Sequence, residues 1–430
     1  MLGDSIMELQ NQFPENLPKI TASASRWLRC FVSTFLPLRS FGEVERKLKR
    51  DVPIVTLFSG GLDSSYLLLR LRDMGFTDVH AVSIDVGEAE TGDQKTQLTE
   101  ALGAKLHILD CKEQFANDFV AAAISAQAVY LDLHPISSSL SRPLIAQQAA
   151  EFATSLGAQA VLHTANRSQN TLRRLNGALR LLEYGGLYGS PYDMEPVNRA
   201  DKQSALAAAG IDLLRERAIS GDSNLWCREF ESGSLDDPED HRVPDSLFQW
   251  SAVREDAVPC SISIGIESGI PVSVDGRRIS MVDLIAELNE RVGAYGMGRY
   301  SGLEHLDNGE KVLELREMPA AWILLRTYRH VEAACLDAEL LREKQHLEQI
   351  WVREALEGRW FGDLRRAAQA FMDTCAERTT GTVTWELRRG GADTRAILAP
   401  RPRYLRDRER WEERSIKAES AVHTFLSAQA

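Results

Sequence analysis

A short apolar run that stops at Ser59-Gly60-Gly61-Leu62-Asp63-Ser64-Ser65, and then passes into an amphipathic stretch, constrains this chain more than any other feature. The run Ile54-Val55-Thr56-Leu57-Phe58 has the length of a buried strand and ends at a glycine turn. Leu62 to Met74 then carries apolar residues at helical spacing. Two adjacent glycines let the backbone approach a ligand closely. Ser59, Ser64 and Ser65 bring hydroxyls to the same spot. The start of the helix adds free N–H groups and a partial positive charge. Together these make a cradle for a pyrophosphate group. Asp63, in the first helical turn, either caps the helix or helps hold a magnesium ion on the phosphates. The turn is not a Walker loop, since no Gly-Lys-Ser/Thr follows, and it lacks the Gly-x-Gly-x-x-Gly of dinucleotide folds.

Strand and helix continue to alternate. Val79 to Ile84 reads as strand, Gln94 to Leu102 as helix, and Lys105 to Leu109 as strand. Phe115 to Val129 and Leu144 to Leu156 read as helices, and Ala160 to His163 as a fourth strand. Short connections between alternating elements predict an α/β fold with a parallel sheet. Further on, Ser261 to Glu267 and Pro271 to Gly276 alternate like a hairpin, as do Thr382 to Leu387 and Thr394 to Leu398. Helical patterns cover Met281 to Val292 and Ala333 to Glu357. The expected layout is an N-terminal helical extension (1–50), a nucleotide-binding domain (51–218), an α+β domain (219–400) and a helical tail (401–430). The stretch Trp27 to Phe41 is amphipathic and is expected to dock on its own core or a sister subunit. The short apolar stripe of the tail, Ala421, Phe425 and Leu426, is too small to bury itself and is expected to pack on another subunit.

Composition narrows the partners. A formal net charge of -12 over 430 residues makes nucleic acid a poor default ligand. The six cysteines form no Cys-x-x-Cys pair, and the nine histidines show no metal-ligand spacing, so no protein-held metal is expected. No apolar run reaches the roughly 18 residues of a membrane helix. The opening Met1-Leu-Gly-Asp-Ser lacks the basic-then-apolar order of a signal peptide. The expectation is a soluble, cytoplasmic protein.

Strand, Ser-Gly-Gly-Leu-Asp-Ser-Ser and helix together resemble the ATP pyrophosphatases, which cleave ATP between the α and β phosphates. From residue 53 to about 400 the chain resembles the argininosuccinate synthetase family in particular. Tyr130 and Ser139-Leu-Ser-Arg142-Pro143 look like its Tyr and Thr-Ser-Leu-Ala-Arg-Pro segment. Ser220-Gly-Asp-Ser-Asn224-Leu-Trp226 and Glu231-Ser-Gly-Ser-Leu-Asp-Asp-Pro238 look like its Ser-x-Asp-Glu-Asn-Leu and Glu-x-Gly-x-Leu-Glu-Asp/Asn-Pro run. Tyr295-Gly-Met-Gly298-Arg299, Glu304, Glu317-x-Pro319 and Thr380-Gly381-Thr382-Val383 follow in family order. The resemblance implies an adenine nucleotide α-hydrolase-like, Rossmann-like domain followed by a synthetase and multimerisation domain. It implies an AMP-forming carbon–nitrogen ligase that uses ATP with Mg2+, takes amino-acid-like substrates, and assembles as a homotetramer or dimer. Ser59, Gly60, Gly61, Asp63, Ser64 and Ser65 would hold the triphosphate, with Ile84 and Thr164 beside the nucleotide. Asp63, Ser59 and Arg142 would serve the chemistry. Tyr130, Ser139, Arg174, Ser220 and Glu304 match positions that hold citrulline in the family.

The departures fall at the substrate positions. Where the family has His-Gly-x-Thr-Gly-Lys-Gly-Asn-Asp-Gln-x-Arg, this chain has His163-Thr-Ala-Asn166-Arg167-Ser-Gln-Asn170-Thr171-Leu-Arg173-Arg174. All three glycines are gone, and Asn166 replaces the threonine that grips aspartate. Without them the loop must take a different shape. Arg316 replaces a family tyrosine and Glu229 a serine, both at the citrulline site. Charges in place of hydroxyls change what a pocket tolerates, and the two can pair and fill part of it. Arg167, Arg173 and Arg174 suggest an anionic or carboxylate-bearing substrate, while for Arg173 a solvated helix face is the expected reading. The reading is a ligase whose substrates differ from citrulline plus aspartate. Beside it stand genuine argininosuccinate synthesis with a variant loop, a tRNA-modifying pyrophosphatase, and a non-catalytic nucleotide-binding member.

Overall fold

The computed structural model describes residues 37–87, 92–211, 220–235, 237–306 and 309–427. Of Ser220, Ser234 and 423–427 only the backbone is described. The first ten residues of the amphipathic stretch Trp27 to Phe41 therefore lie outside the described residues, as do the side chains of Phe425 and Leu426.

Five parallel strands make the first sheet: β1 (Ile54–Leu57), β2 (Val79–Asp85), β3 (Lys105–Asp110), β6 (Ala160–Leu162) and β7 (Leu187–Gly189), in the order β3-β2-β1-β6-β7. Ile54 sits beside Val79 on one side and Ala160 on the other. Helices α2 (Leu62–Asp73), α3 (Gly92–Ala101), α5 (Ser138–Leu156) and α6 (Asn170–Leu181) connect the strands. Between β3 and α5 lie α4 (112–125), whose middle turn Phe115–Val120 is π-helical, and the two-residue strands β4 (Val129–Tyr130) and β5 (His134–Pro135). The chain runs outward from β1 to β3 and then returns to β6 on β1's other side. The carboxyl end of β1 is thus a switch point, where α/β sheets bind ligands. Before β1, Leu38 bridges to Gly189 and helix α1 (Phe41–Lys47) buries Phe41 and Val44 in the core of this sheet.

After α7 (Arg199–Ala208) come two antiparallel sheets. One has the order β13-β14-β9-β8, from β8 (Ser220–Ser223), β9 (Arg228–Glu231), β13 (Arg299–His305) and β14 (Lys311–Glu317). The other, β12-β11-β10-β15-β16, joins β10 (Cys260–Glu267), β11 (Ile270–Val274) and β12 (Arg277–Arg278) to the late hairpin of β15 (Gly381–Arg388) and β16 (Gly391–Leu398). Helices α8 (Met281–Gly293), α9 (Pro319–Cys335), α10 (Ala338–Leu356) and α11 (Asp363–Ala376) pack here, and α12 (Arg408–Ser427) ends the fold. One apolar cluster runs from Val55 and Phe119 through Trp351 and Trp360 to Trp385, so the two halves share a core.

Several expectations need correction. The helix expected over 115–129 ends at Ser125, because Gln127 turns left-handed (φ 47°) and β4 follows. The helix expected from Leu144 starts at Ser138 and carries Pro143 inside it, without the hydrogen bond that an N–H there would give the Ser139 carbonyl. The helix expected over 333–357 is two, because Asp337 caps a new one by accepting from the Leu340 N–H at 3.0 Å. Strand β7, three residues long, and the sheet around β14 stand outside these expectations, although Leu313-Glu314-Leu315-Arg316 in β14 alternates apolar and charged residues. The five described cysteines are unpaired. No described helix is long and apolar enough to cross a membrane.

Candidate active site

The Ser59–Ser65 turn caps β1 as expected. Gly60 adopts φ 79°, a conformation that favours glycine. Gly61 is the N-cap of α2 and lends no side chain to the first helical N–H groups. Ser59 Oγ lies 3.3 Å from Ser64 Oγ and accepts from the Gly61 N–H at 3.3 Å, while Ser64 donates to the Gly61 carbonyl at 3.1 Å. Ser65 Oγ is buried with no hydrogen-bond partner among the described residues. An orphan hydroxyl, a left-handed glycine and an uncapped helix start suit a phosphate group. Ile84 ends β2 and Thr164 follows β6, the strands on either side of β1. Asp63 does not cap α2. Its carboxylate pairs with Lys202 Nζ of α7 at 2.5 Å.

A second cluster lies where the β13-β14-β9-β8 sheet faces the first turns of α5 and α6. Side chains alternate along a strand, so Glu314 and Arg316 share a face of β14. Arg316 lies opposite Glu229 on β9 and Tyr300 on β13. Its guanidinium is fully buried and pairs with Glu229 and Glu314, and with Glu304 at 3.0 Å. From α6, Arg174 and Asn170 sit one turn apart and both reach Glu304, at 2.9 and 3.3 Å. Arg174 also donates to Ser138 Oγ at 2.8 Å and to the Leu356 carbonyl at 3.2 Å. Glu229 accepts from the Ser138 N–H at 3.4 Å.

Three carboxyl groups thus face two guanidinium groups in a space closed to water. Burial works against the Glu304 carboxylate, yet a hydrogen bond from Glu314 and the charges of Arg174 and Arg316 hold it well below the usual range. Burial pushes the Glu314 carboxyl well above that range, and its neighbour Glu304 adds to the effect against Arg316. The proton of the pair therefore resides on Glu314.

The remaining expected residues divide. Tyr130 Oη lies 2.7 Å from His305 Nδ1 at the mouth of this cluster. Ser139 is buried in the first turn of α5. Arg142 pairs with Asp222 and reaches Thr171 Oγ1 at 3.4 Å, linking α5, β8 and α6. Ser220 begins β8 opposite Glu231, and its side chain lies outside the described residues. Asn166 stands apart, since its Oδ1 accepts from the Ser168 N–H and hydroxyl at 3.0 and 2.6 Å in a local turn. Arg173 does not sit on a solvated face. Its side chain is 15% exposed and pairs with Glu357 at 3.1 Å. Arg167 is exposed and pairs with Asp193 at 2.7 Å.

Glu314, His305, Asp222 and Lys202 were not legible as site residues. Asp222 lay in a quoted motif, and the Glu-x-Arg spacing of Glu314 and Arg316 is the period of a strand face. Lys202 has no such signal. Among the described residues no three His, Cys, Asp or Glu side chains are grouped to hold a metal ion.

A switch-point phosphate cradle on a parallel sheet, with a second domain walling an adjacent polar cluster, defines an ATP-dependent ligase architecture. Residues 53–183 match the Arginosuccinate synthase N-terminal HUP domain, and residues 219–426 the Arginosuccinate synthase C-terminal domain. The argininosuccinate synthase of Rubrobacter xylanophilus is 32% identical over 379 residues, 87% of this chain and 92% of the relative. That of Hyperthermus butylicus is 32% identical over 366 residues, covering 82% and 90%. That of Rhodococcoides fascians is 34% identical over 359 residues, covering 82% and 90%. The chain belongs to the argininosuccinate synthase family.

Proposed function

We propose that this ligase activates an oxygen of an amino-acid-like acceptor as its adenylate, releasing pyrophosphate, and lets an amine displace AMP, with an acceptor and an amine other than citrulline and aspartate. The observation that carries this reading is the Arg316 network. At positions where the family resemblance puts neutral hydroxyls, Arg316 and Glu229 form a buried ion pair that also engages Glu304 and Glu314. Buried charges paired with one another are costly to unpair, so the cluster occupies acceptor space and does not yield to a ligand. The Asn166 turn supports a changed amine site in the same way, because its polar groups are spent on each other.

ATP enters this scheme at the Ser59–Ser65 turn, with Mg2+ on its phosphates. Arg142, tied to Asp222 and Thr171 between α5 and α6, would steady the charge that builds on the α-phosphate. The chain's own work is to align the acceptor oxygen and exclude water from the adenylate.

A second reading, synthesis of argininosuccinate itself, is favoured by the relatives above, which bear that name and which this chain spans at 90% or more. Release of AMP and pyrophosphate from Mg-ATP decides between them. Turnover with other ureido, amide or carboxylate acceptors, and none with citrulline plus aspartate, is expected. Turnover with citrulline plus aspartate at rates usual for a biosynthetic ligase would sink the first reading. For assembly, the exposed Trp411 and Ile416 of α12 support a homo-oligomer, a dimer or tetramer, and a monomer in sedimentation would count against it.

A further inference from the structure

The segment Ser59–Ser65 contains no basic residue, yet a pyrophosphate bound there carries several negative charges. The fold brings a basic side chain to the turn from far along the chain. Lys202 lies near the start of α7, where Asn198 caps the helix by accepting from the Asp201 N–H at 2.8 Å. Its side chain is largely buried, and Nζ emerges at Asp63 Oδ1, 2.5 Å away. Tyr192 lines its path: Nζ lies 5.4 Å from the ring centroid, and the hydroxyl donates to the Asp63 carbonyl at 2.8 Å. Tyr192 is held in turn by Phe41 of α1, edge to face at 5.3 Å. Lys202 is thus an anchored lysine whose head sits on a part-exposed carboxylate of the turn itself. Asp63 is also the one acid in the turn, so phosphate competes with it for Lys202, and magnesium competes with Lys202 for its carboxylate.

We propose that Lys202 is the phosphate-binding cation of this site, held on Asp63 when the turn is empty and passed to the β and γ phosphates when Mg-ATP or pyrophosphate fills it. In this role it does what the lysine of a Walker loop does from within the loop itself. Asp63, released by the exchange, turns to the metal that arrives with the nucleotide. No bond is made or broken, and the change is one of ion-pair partner. The inference rests on the ATP-cleaving reading of the turn.

Calorimetric titration of the full-length protein with Mg-ATP, magnesium pyrophosphate and AMP tests it. Lys202→Gln can still donate a hydrogen bond to Asp63 but carries no charge, so a merely structural lysine would be replaced without loss. The expected result is a fall of about tenfold or more in affinity for pyrophosphate and ATP, with AMP binding within about twofold of the unaltered protein. Lys202→Arg should recover most of the loss. Unchanged pyrophosphate affinity in Lys202→Gln, or an equal loss of AMP and pyrophosphate binding, would overturn the proposal. Should Lys202→Gln fail to fold, Lys202→Arg decides, since it must keep tight pyrophosphate binding. An unaltered protein that binds none of the three ligands would instead overturn the nucleotide reading.

Discussion

Arg316 shows how much one side chain can change a pocket. Removing it leaves Glu229, Glu304 and Glu314 together in a closed space with Arg174 as their remaining guanidinium. Breaking a buried pair from one side costs roughly 3–5 kcal/mol. Arg316→Ala should therefore lose stability on that scale in urea unfolding, far more than the median exposed ion pair. Glu314→Gln should differ from the parent by less than about 1 kcal/mol, because an amide resembles the protonated carboxyl that burial and Glu304 impose there. If Glu314→Gln proved as damaging as Arg316→Ala, Glu314 would have to be ionised and the charge assignment would fail. At the nucleotide turn, Ser59→Ala removes the hydroxyl that meets Ser64 Oγ and the Gly61 N–H. A drop in turnover of about tenfold with an unchanged unfolding midpoint is expected, and a wild-type rate would remove Ser59 from the site.

Between elements, close backbone approach decides what can change. Gly177 of α6 packs on the turn after α10, where an added Cβ would sit 2.3 Å from the Gly358 carbonyl oxygen. That contact joins the helix bearing Asn170 and Arg174 to the helices of the second domain. Gly177→Ala should cost about 1–3 kcal/mol through overpacking, despite the better helix propensity of alanine. It should also weaken substrate-dependent turnover, since Arg174 hangs on the same helix. A stabilised variant would mean that α6 can shift freely. The π-helical turn at Phe115–Val120 belongs to the same scale: Phe119 stacks on Trp360 at 4.8 Å, so the irregular turn aims an aromatic ring into the shared core.

For the whole molecule, buried histidines set part of the response to acid. Burial lowers His163 to about 4, and burial with the charge of Arg316 lowers His134 to about 3. Both pKa values are lower folded than unfolded, so the unfolded chain takes up the protons first. Stability is therefore intact above about pH 6.5 and declines as pH falls below it, by roughly 3 kcal/mol for each histidine near pH 4. Denaturation followed from pH 7 to 4.5 should show this slope, and His163→Gln should flatten it. An unchanged slope in that variant would assign the acid response elsewhere. Much of this architecture could be read from the chain alone. Strands β1 to β3, the hairpins β10–β11 and β15–β16, and the phosphate turn are local patterns, because strand period, helix period and glycine turns are encoded within a few neighbouring residues. The pairing of Arg316 with Glu229 was foreseeable from two charges at one site. What tertiary structure alone decided is which distant groups share a charge: Glu314 with Glu304, Arg142 with Asp222, and Lys202 with Asp63. Partners in a buried ion pair are chosen by sheet register and helix packing, and no local pattern in the sequence records either.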